Sequence, residues 1–455
     1  MIQVHTQALA GILHGELIGA DVEACGASID ARSLQPRALF FALQGEQSDG
    51  HIYLAQALAA GASAAIVERH IVDSELPQIV VKSARQALGQ LAAWWRTQLA
   101  CKIVAVTGSN GKTTVKEMLA CILSQAGKTL ATAGNFNNDL GMPLTLLRIA
   151  KDHDYAVLEM GANHFGEVEY MTHIAKPDIA LVNNAGPAHL EGFGDISGVA
   201  RAKGEIYSGL NNQGVAVINA DDAKADVWRS LCADKITSTF ALEASADVAG
   251  VWSALDNQLV ISAHGASTAV QMNLLGRHNA LNALAAAAAA LAAGVGLAAV
   301  KVGLENVQAV AGRLQLSSPR RGLQLIDDSY NANPASLLAG AEVAVELCPD
   351  QAWLVLGDLG ELAGDPAQVH AELGGQLKNA GISRLFTLGT YSAHAAEVFN
   401  QGALSFDSLS ELLDALEQAL ADVGSNVTLL VKGSRSSRME RVIQALSANV
   451  NTGDQ

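Results

Sequence analysis

The segment Thr107-Gly108-Ser109-Asn110-Gly111-Lys112-Thr113-Thr114 constrains this chain more than any other stretch. It follows the apolar run Ile103, Val104, Ala105, Val106 and opens onto a helical pattern through Met118, Leu119, Ile122 and Leu123. Strand, glycine-bearing loop, Gly-Lys-Thr-Thr and helix together form the context a phosphate-binding loop requires. Glycines let backbone N–H groups point at an anion, and the helix N-terminus adds its partial positive charge. Lys112 is then placed to reach the β/γ-phosphates and the Thr113 hydroxyl to ligate magnesium. Gly108, Ser109, Asn110, Gly111 and Thr114 complete the cradle, and a nucleotide triphosphate is the expected ligand. The loop is shorter than the general pattern, with only Ser109 and Asn110 between its glycines where four residues are usual.

A chain of 455 residues is expected to divide into two or three domains, because single cores seldom grow past about 250–300 residues. Half the residues are hydrophobic and 16% are charged, which permits large cores and argues against disorder. The net charge of −16 argues against a nucleic-acid surface, so an anionic substrate must be met by local cations. Cys25, Cys101, Cys121, Cys232 and Cys348 are scattered without metal spacing and read as thiols of a reducing cytoplasm. The first residues lack a signal-peptide pattern. The uncharged stretch 280–300 is long enough to span a bilayer, but its alanines, Asn282, Gly294 and Gly296 suit a helix packed tightly in a core.

Three blocks follow one another. Residues 1–85 alternate short apolar runs (38–43, 64–67, 78–81) with a helical stretch at 53–60 and suggest a small α/β domain, and 86–100 reads as a connecting helix. A central block to residue 311 carries buried-strand runs at 103–106, 155–160, 178–183 and 215–219, the pattern of a parallel sheet covered on both faces. Segments 258–262 and 268–274 look like an antiparallel pair. Residues 312–455 hold strand runs at 323–327, 352–356, 384–388 and 427–431 with helices between, an open α/β sheet with ligands expected at the strands' carboxyl ends.

Several residues carry chemistry on this frame. Glu159 ends a strand in the nucleotide block, where magnesium is commonly held. His189 leaves the next strand and could be a metal ligand or a proton carrier, but on the residues alone a buried structural histidine is the favoured reading. Lys203 stands in a helical Ala-Lys-Gly-Glu-Ile, Asn279 and Asn282 open the alanine-rich helix, and Asp327-Asp328-Ser329-Tyr330-Asn331-Ala332-Asn333-Pro334 closes a strand with too many polar groups for a simple turn.

The compact Gly-Ser-Asn-Gly-Lys-Thr-Thr resembles the Mur ligase superfamily, which also includes folylpolyglutamate synthases and joins a carboxylate to an amine through an acyl phosphate. The segments 135–143, 159–163, 189–194, 203–206 and 328–334 narrow the likeness to the branch that adds D-Ala-D-Ala to UDP-MurNAc-tripeptide in peptidoglycan precursor synthesis. The resemblance implies three domains: a small UDP-substrate domain, a central parallel-sheet P-loop domain and a C-terminal Rossmann-like domain. It implies ATP and Mg2+, with Glu159, His189 and a carbamylated Lys203 as metal ligands beside Thr113. Asn279 and Asn282 are then expected at adenine, Arg313 at the phosphates and Asp328 at the ribose. Tyr330, Asn331 and Asn333 fall to the incoming amine, and Asn135 and Asn138 to substrate. Ser28, Asp30, Arg32, Ser33, Gly45, Asp49 and His51 are expected on the UDP-sugar. One departure is Pro36-Arg37, where the family usually has Pro-Gly. A monomer without membrane insertion, working in the cytoplasm, is expected.

Two neighbouring readings are weighed against this one. The ligase adding the third amino acid is expected to carry Asp-Asn-Pro-Arg in its last domain, and this sequence has none. A folylpolyglutamate synthase lacks the N-terminal UDP-binding block.

Overall fold

The computed structural model describes residues 1–45, 48–187, 190–362, 364–423 and 426–448. The N-terminal sheet has the order Glu16–Ile18, Gln78–Val80, Ala64–Val67, Leu39–Phe41 and Ala27–Ser28. Its first pair is antiparallel and the others are parallel. Two of the three inner strands, Ala64–Val67 and Leu39–Phe41, are buried at every residue, as strands covered on both faces must be. The connecting helix Ala84–Arg96 buries Leu88, Leu91 and Trp95 on one face. Trp95 Nε1 donates to the Ile149 carbonyl at 2.9 Å, tying this helix to the central domain.

The central sheet has nine strands in the order Ala266–Gln271, Gln258–Ala263, Val248–Ser253, Ile236–Ala241, Val215–Asn219, Ile179–Val182, Lys102–Thr107, Tyr155–Glu159 and Thr129–Ala131. All neighbours are parallel except the two pairs joining the last three strands in sequence; Gln258–Ala263 with Ala266–Gln271 is the expected antiparallel pair, and Val248–Ser253 extends it. The chain enters at Lys102–Thr107, fills the sheet on one side of that strand, and then continues on the other. This reversal opens a crevice at the carboxyl end of Lys102–Thr107, where open α/β sheets bind ligands. Residues 108–111 sit there.

The alanine-rich helix Arg277–Ala292 lies under this sheet, with Ala285 through Ala290 fully buried. The helix Leu297–Glu305 then approaches Lys112–Leu123 so closely that a Cβ on Gly303 would lie 2.4 Å from Ile122 Cα. No helix among the described residues is long and apolar enough to cross a membrane.

The C-terminal sheet runs Gln315–Arg320, Leu323–Asp328, Val427–Lys432, Ala352–Gly357, Arg384–Leu388, Ala403–Phe406, and only its first pair is antiparallel. The last strand in sequence is inserted mid-sheet, which sets Lys432 directly beside Asp328. Gln315–Arg320 breaks the expected pattern. It contains Pro319 and exposed residues along its length, both tolerated because it is an edge strand.

Candidate active site

The nucleotide loop is braced from behind by asparagines. A Cβ on Gly111, whose φ is +77°, would lie 2.4 Å from Asn282 Oδ1 and 2.6 Å from Asn183 Nδ2, so the position requires glycine. Asn183 Nδ2 donates to Asn282 Oδ1 at 2.8 Å and to the Asn110 carbonyl at 3.0 Å. The Asn110 N–H donates to Asn184 Oδ1 at 2.8 Å, and the Ser109 N–H to the Asn184 carbonyl at 3.0 Å. Ser109 Oγ accepts from the Gly186 N–H at 2.9 Å. Asn183 and Asn184 belong to no loop motif; their one signal in the sequence is a place immediately past a buried parallel strand.

Lys112 opens its helix with Nζ folded over the loop, donating to the Gly108 carbonyl at 2.7 Å and the Ser109 carbonyl at 3.2 Å. Burial pushes its pKa down, and the charge of Glu159 opposes that shift. Glu159 is buried at the end of Tyr155–Glu159. Its Oε1 accepts from Asn137 Nδ2 at 2.7 Å, and its Oε2 is buried with no hydrogen-bond partner. A buried carboxylate oxygen without a partner is costly. With the Thr113 hydroxyl lining the same cavity, this donor set fits magnesium, which takes oxygen ligands.

A cavity of about 630 Å³ joins this loop to the C-terminal domain. Residues 109–114, Asn135, Asn137, Glu159 and Asn184 form one wall, and Arg313, Asp328, Tyr330, Asn331, Asn333 and Lys432 the other. Asn279 and Asn282 enter from the start of the alanine-rich helix. Asp328 Oδ2 accepts from Lys432 Nζ at 2.5 Å and Oδ1 from the Leu314 N–H at 3.2 Å. Burial raises the Asp328 pKa, against the pull of Lys432. Lys432 also donates to the Asn331 carbonyl at 3.0 Å. The Arg313 guanidinium lies 4.5 Å from the Tyr330 ring centre, a cation–π distance. Asn333 Oδ1 accepts from the Ser336 N–H at 2.9 Å, capping the helix Pro334–Leu347, while its Nδ2 donates to Asn110 Oδ1 at 2.7 Å.

Lys203 is 1% exposed and is not among the cavity-lining residues. Its Nζ donates to the Ala162 carbonyl at 3.2 Å and stands 5.2 Å from the Phe193 ring centre. Burial pushes its pKa down to about 7, so an appreciable fraction of the amine is neutral at physiological pH. His189 lies outside the described residues. No group of three or more His, Cys, Asp or Glu suited to a metal occurs among the described residues.

None of Ser28, Asp30, Arg32, Ser33, Gly45, Asp49 and His51 lines this cavity. Asp30 accepts two bonds from the Arg32 side chain, each of 2.9 Å, which lower its pKa. His51 is buried with both ring nitrogens engaged: Nδ1 faces Asp49 Oδ1 at 2.6 Å, and Nε2 accepts from the Glu68 N–H at 2.9 Å. Arg69 on the other Asp49 oxygen holds that carboxyl well below the usual range. His51 therefore organises its loop and presents no ring nitrogen to a ligand. Asn138 Oδ1 accepts from the Gly141 N–H at 2.8 Å at the start of the helix Gly141–Arg148, and its side chain shapes that turn away from the cavity lining.

The chain matches the Mur ligase family catalytic domain over residues 25–96, the Mur ligase middle domain over 106–290 and the Mur ligase glutamate ligase domain over 312–435. The chain belongs to the Mur ligase family. Within that family it is 44% identical to the UDP-N-acetylmuramoyl-tripeptide--D-alanyl-D-alanine ligase of Escherichia coli K12, over 99% of both chains. A crystal structure of MurF from Acinetobacter baumannii shares 37% identity and a TM-score of 0.93, covering 98% of this chain and 99% of that one. The Thermotoga maritima MurF ligase in complex with ADP shares 26% identity and a TM-score of 0.83, covering 95% and 99%. This Mur ligase therefore has the three-domain fold of those enzymes.

Proposed function

We propose that this Mur ligase uses ATP to join D-Ala-D-Ala to the peptide carboxylate of UDP-MurNAc-tripeptide, forming a C–N bond in peptidoglycan precursor synthesis. The observation that carries the ligase chemistry is the single cavity shared by the nucleotide loop and the carboxyl ends of the C-terminal strands. The substrates follow from the full-length likeness to ligases of that name. The match over residues 25–96 favours this reading over a folylpolyglutamate synthase. Residues 1–85 would bind the UDP-sugar, 86–311 ATP, and 312–455 the dipeptide.

The peptide carboxylate attacks the γ-phosphorus of ATP, ADP leaves, and an acyl phosphate results. The dipeptide amine then attacks the acyl carbon and phosphate departs. The first step presses two anions together, and Lys112 and Arg313 line the cavity where that repulsion must be screened. Magnesium, held by Thr113 and Glu159, would supply further charge neutralisation at the phosphates. Asn279 and Asn282 are assigned to the adenine side and Asp328 to the ribose, while Tyr330, Asn331 and Asn333 face the amine. Enclosure by two domains keeps water from the acyl phosphate. Lys203, neutral in part, is suited to carbamylation by carbon dioxide, which would convert it into a carboxylate metal ligand. The five free cysteines and the nucleotide-linked substrates suit a cytoplasmic monomer acting without nucleic acid or membrane.

Phosphate release from ATP tests the reading, with UDP-MurNAc-tripeptide and D-Ala-D-Ala supplied together and each omitted in turn. Release is expected only with both. Release with a different amine would move the enzyme to a neighbouring step, and no dependence on either would overturn the ligase reading.

A further inference from the structure

Residues 81–85 and 132–140 leave parallel strands of two different sheets. Gln78–Val80 runs parallel to Ala64–Val67 in the N-terminal sheet, and Thr129–Ala131 runs parallel to Tyr155–Glu159 in the central one. Ligands of such sheets lie beyond the carboxyl ends of the strands, so each segment stands at the ligand edge of its own domain. A pair of charges joins the two edges. Arg85, in the first turn of Ala84–Arg96, donates from Nη1 to Asp139 Oδ2 at 2.6 Å. That turn is itself fixed, because the Ala84 N–H donates to Glu68 Oε1 at 2.8 Å and Ser83 Oγ accepts from the Gln86 N–H at 3.3 Å. Tyr170, from the helix Glu167–Ala175, completes the cluster. Its hydroxyl lies over Gly89, so closely that a Cβ there would stand 2.1 Å from the oxygen. Gly89 is four residues beyond Arg85 and shares its helix face. Burial raises the Tyr170 pKa; the charge of Asp139 adds to the rise and that of Arg85 opposes it.

The pair is open to solvent, with side chains 60% exposed at Arg85 and 26% at Asp139. Such a pair adds little to stability. A guanidinium carries five N–H donors and a carboxylate two oxygens, and this contact engages one of each. The pair can therefore take on a second set of charges. Its position says whose. Asn137, two residues before Asp139, lines the cavity and holds Glu159. Two residues of chain span at most about 7 Å, so the pair stands just beyond the cavity wall, beside the reaction centre. A substrate anchored by its UDP-sugar at the first edge and reacting at the phosphates of the second must cross this seam. The reacting carboxylate belongs to the third residue of the tripeptide, and the side chain of that residue branches off at the crossing.

Resting on the ligase reading, we propose that Arg85 and Asp139 bind the side-chain end of the tripeptide's third residue and select one that carries both a carboxylate and an ammonium, as diaminopimelate does. Arg85 takes the carboxylate and Asp139 the ammonium, so the two pairs close a ring of alternating charge, with the Tyr170 hydroxyl at its edge. Lysine, which ends in an ammonium alone, satisfies Asp139 and brings no anion to Arg85. The discrimination is a difference in paired charge between two substrates of otherwise similar shape.

The test measures kcat/KM for UDP-MurNAc-tripeptide with diaminopimelate or with lysine as third residue, at saturating ATP and D-Ala-D-Ala. Wild type, Arg85→Gln and Asp139→Asn are compared. Wild type should prefer the diaminopimelate peptide about tenfold. Arg85→Gln should lose about tenfold with that peptide, mainly through KM, and keep its rate with the lysine peptide, which erases the preference. Asp139→Asn should lose with both. All three should melt at similar temperatures, since the pair is exposed, so a changed ratio reads recognition. An Arg85→Gln enzyme that loses equally with both peptides would mark the pair as a tie between domains and overturn the assignment, as would a wild type indifferent to the third residue. A wild type that releases no phosphate with either peptide would overturn the ligase reading and this inference together.

Discussion

Asn333 Nδ2 donates a 2.7 Å hydrogen bond to Asn110 Oδ1, joining residues 223 positions apart in the chain. One belongs to the nucleotide loop and the other caps the first helix of the C-terminal domain. The arrangement of the domains is therefore registered at the phosphate site itself.

Asn110→Ala removes this tie and leaves the cap. A neutral hydrogen bond contributes about 1 kcal/mol, so kcat/KM should fall roughly fivefold with little change in melting temperature. Asn333→Ala should show at least that kinetic loss, since Asn333 also faces the amine, and a stability loss of about 1 kcal/mol from the missing cap. The double variant should lose no more activity than Asn333→Ala alone. Additive kinetic losses would show that the two side chains act separately.

Lys203 carries a pH signature. Its pKa is lowered to about 7 in the fold, so the unfolded chain binds more protons between there and the ordinary lysine value. Stability then rises with pH across that window, and the full cost of the buried charge is felt below it. Lys203→Met should gain most over wild type at and below pH 7, and its advantage should shrink by about 2 kcal/mol between pH 7 and pH 9 in buffer free of carbon dioxide. Denaturant midpoints at the two pH values check this. Bicarbonate should stabilise the wild type alone, and intact-mass measurement without acid should show the added carbamate.

Lys432→Met isolates a buried carboxylate. Breaking a buried pair by removing one partner costs about 3–5 kcal/mol. Asp328, already raised by burial, would rise further, so the folded state would take up a proton that the unfolded chain releases. The deficit should therefore narrow as the pH falls from 7.5 to 5, and Asp328→Asn in the same chain should recover much of it at neutral pH. Chemical denaturation at both pH values reads the difference.

Arg37 stands at φ +68°, a left-handed backbone that favours glycine. Its ion pair with Glu23 is largely exposed and contributes little. Arg37→Gly should raise stability by about 0.5–1 kcal/mol, seen as a higher melting temperature, with unchanged ligase kinetics.

What was legible in the sequence follows local physics. Ala64–Val67, Val215–Asn219 and Arg384–Leu388 fall where continuous apolar runs place them. Ile236–Ala241 and Ala403–Phe406 interleave polar or exposed residues, and the apolar Val248–Ser253 is interrupted by Gly250; pairing with neighbours makes them strands. At the site, Lys112, Thr113 and Glu159 were readable from a strand, a loop and a strand end. The bracing by Asn183 and Asn184, the Asp328–Lys432 pair and the Asn110–Asn333 tie were not, since each joins residues 73 or more positions apart. Only the strand order brings them together. His51, which the resemblance puts on the UDP-sugar, is buried with both ring nitrogens engaged, and burial is invisible in a short segment.

The helix Arg277–Ala292 packs through methyl groups. Alanine has no rotamer to change, so a buried run of it loses almost no side-chain freedom and also has no means of absorbing displacement. Any enlargement along 285–290 must move the helix as a body, and its first two turns carry Asn282, held by Asn279, against the brace of the nucleotide loop. The helix works as a gauge block, setting the depth of the phosphate cradle from beside the helix Lys112–Leu123. A Ser or Val in that run should therefore register as altered nucleotide affinity, from a residue that touches no ligand.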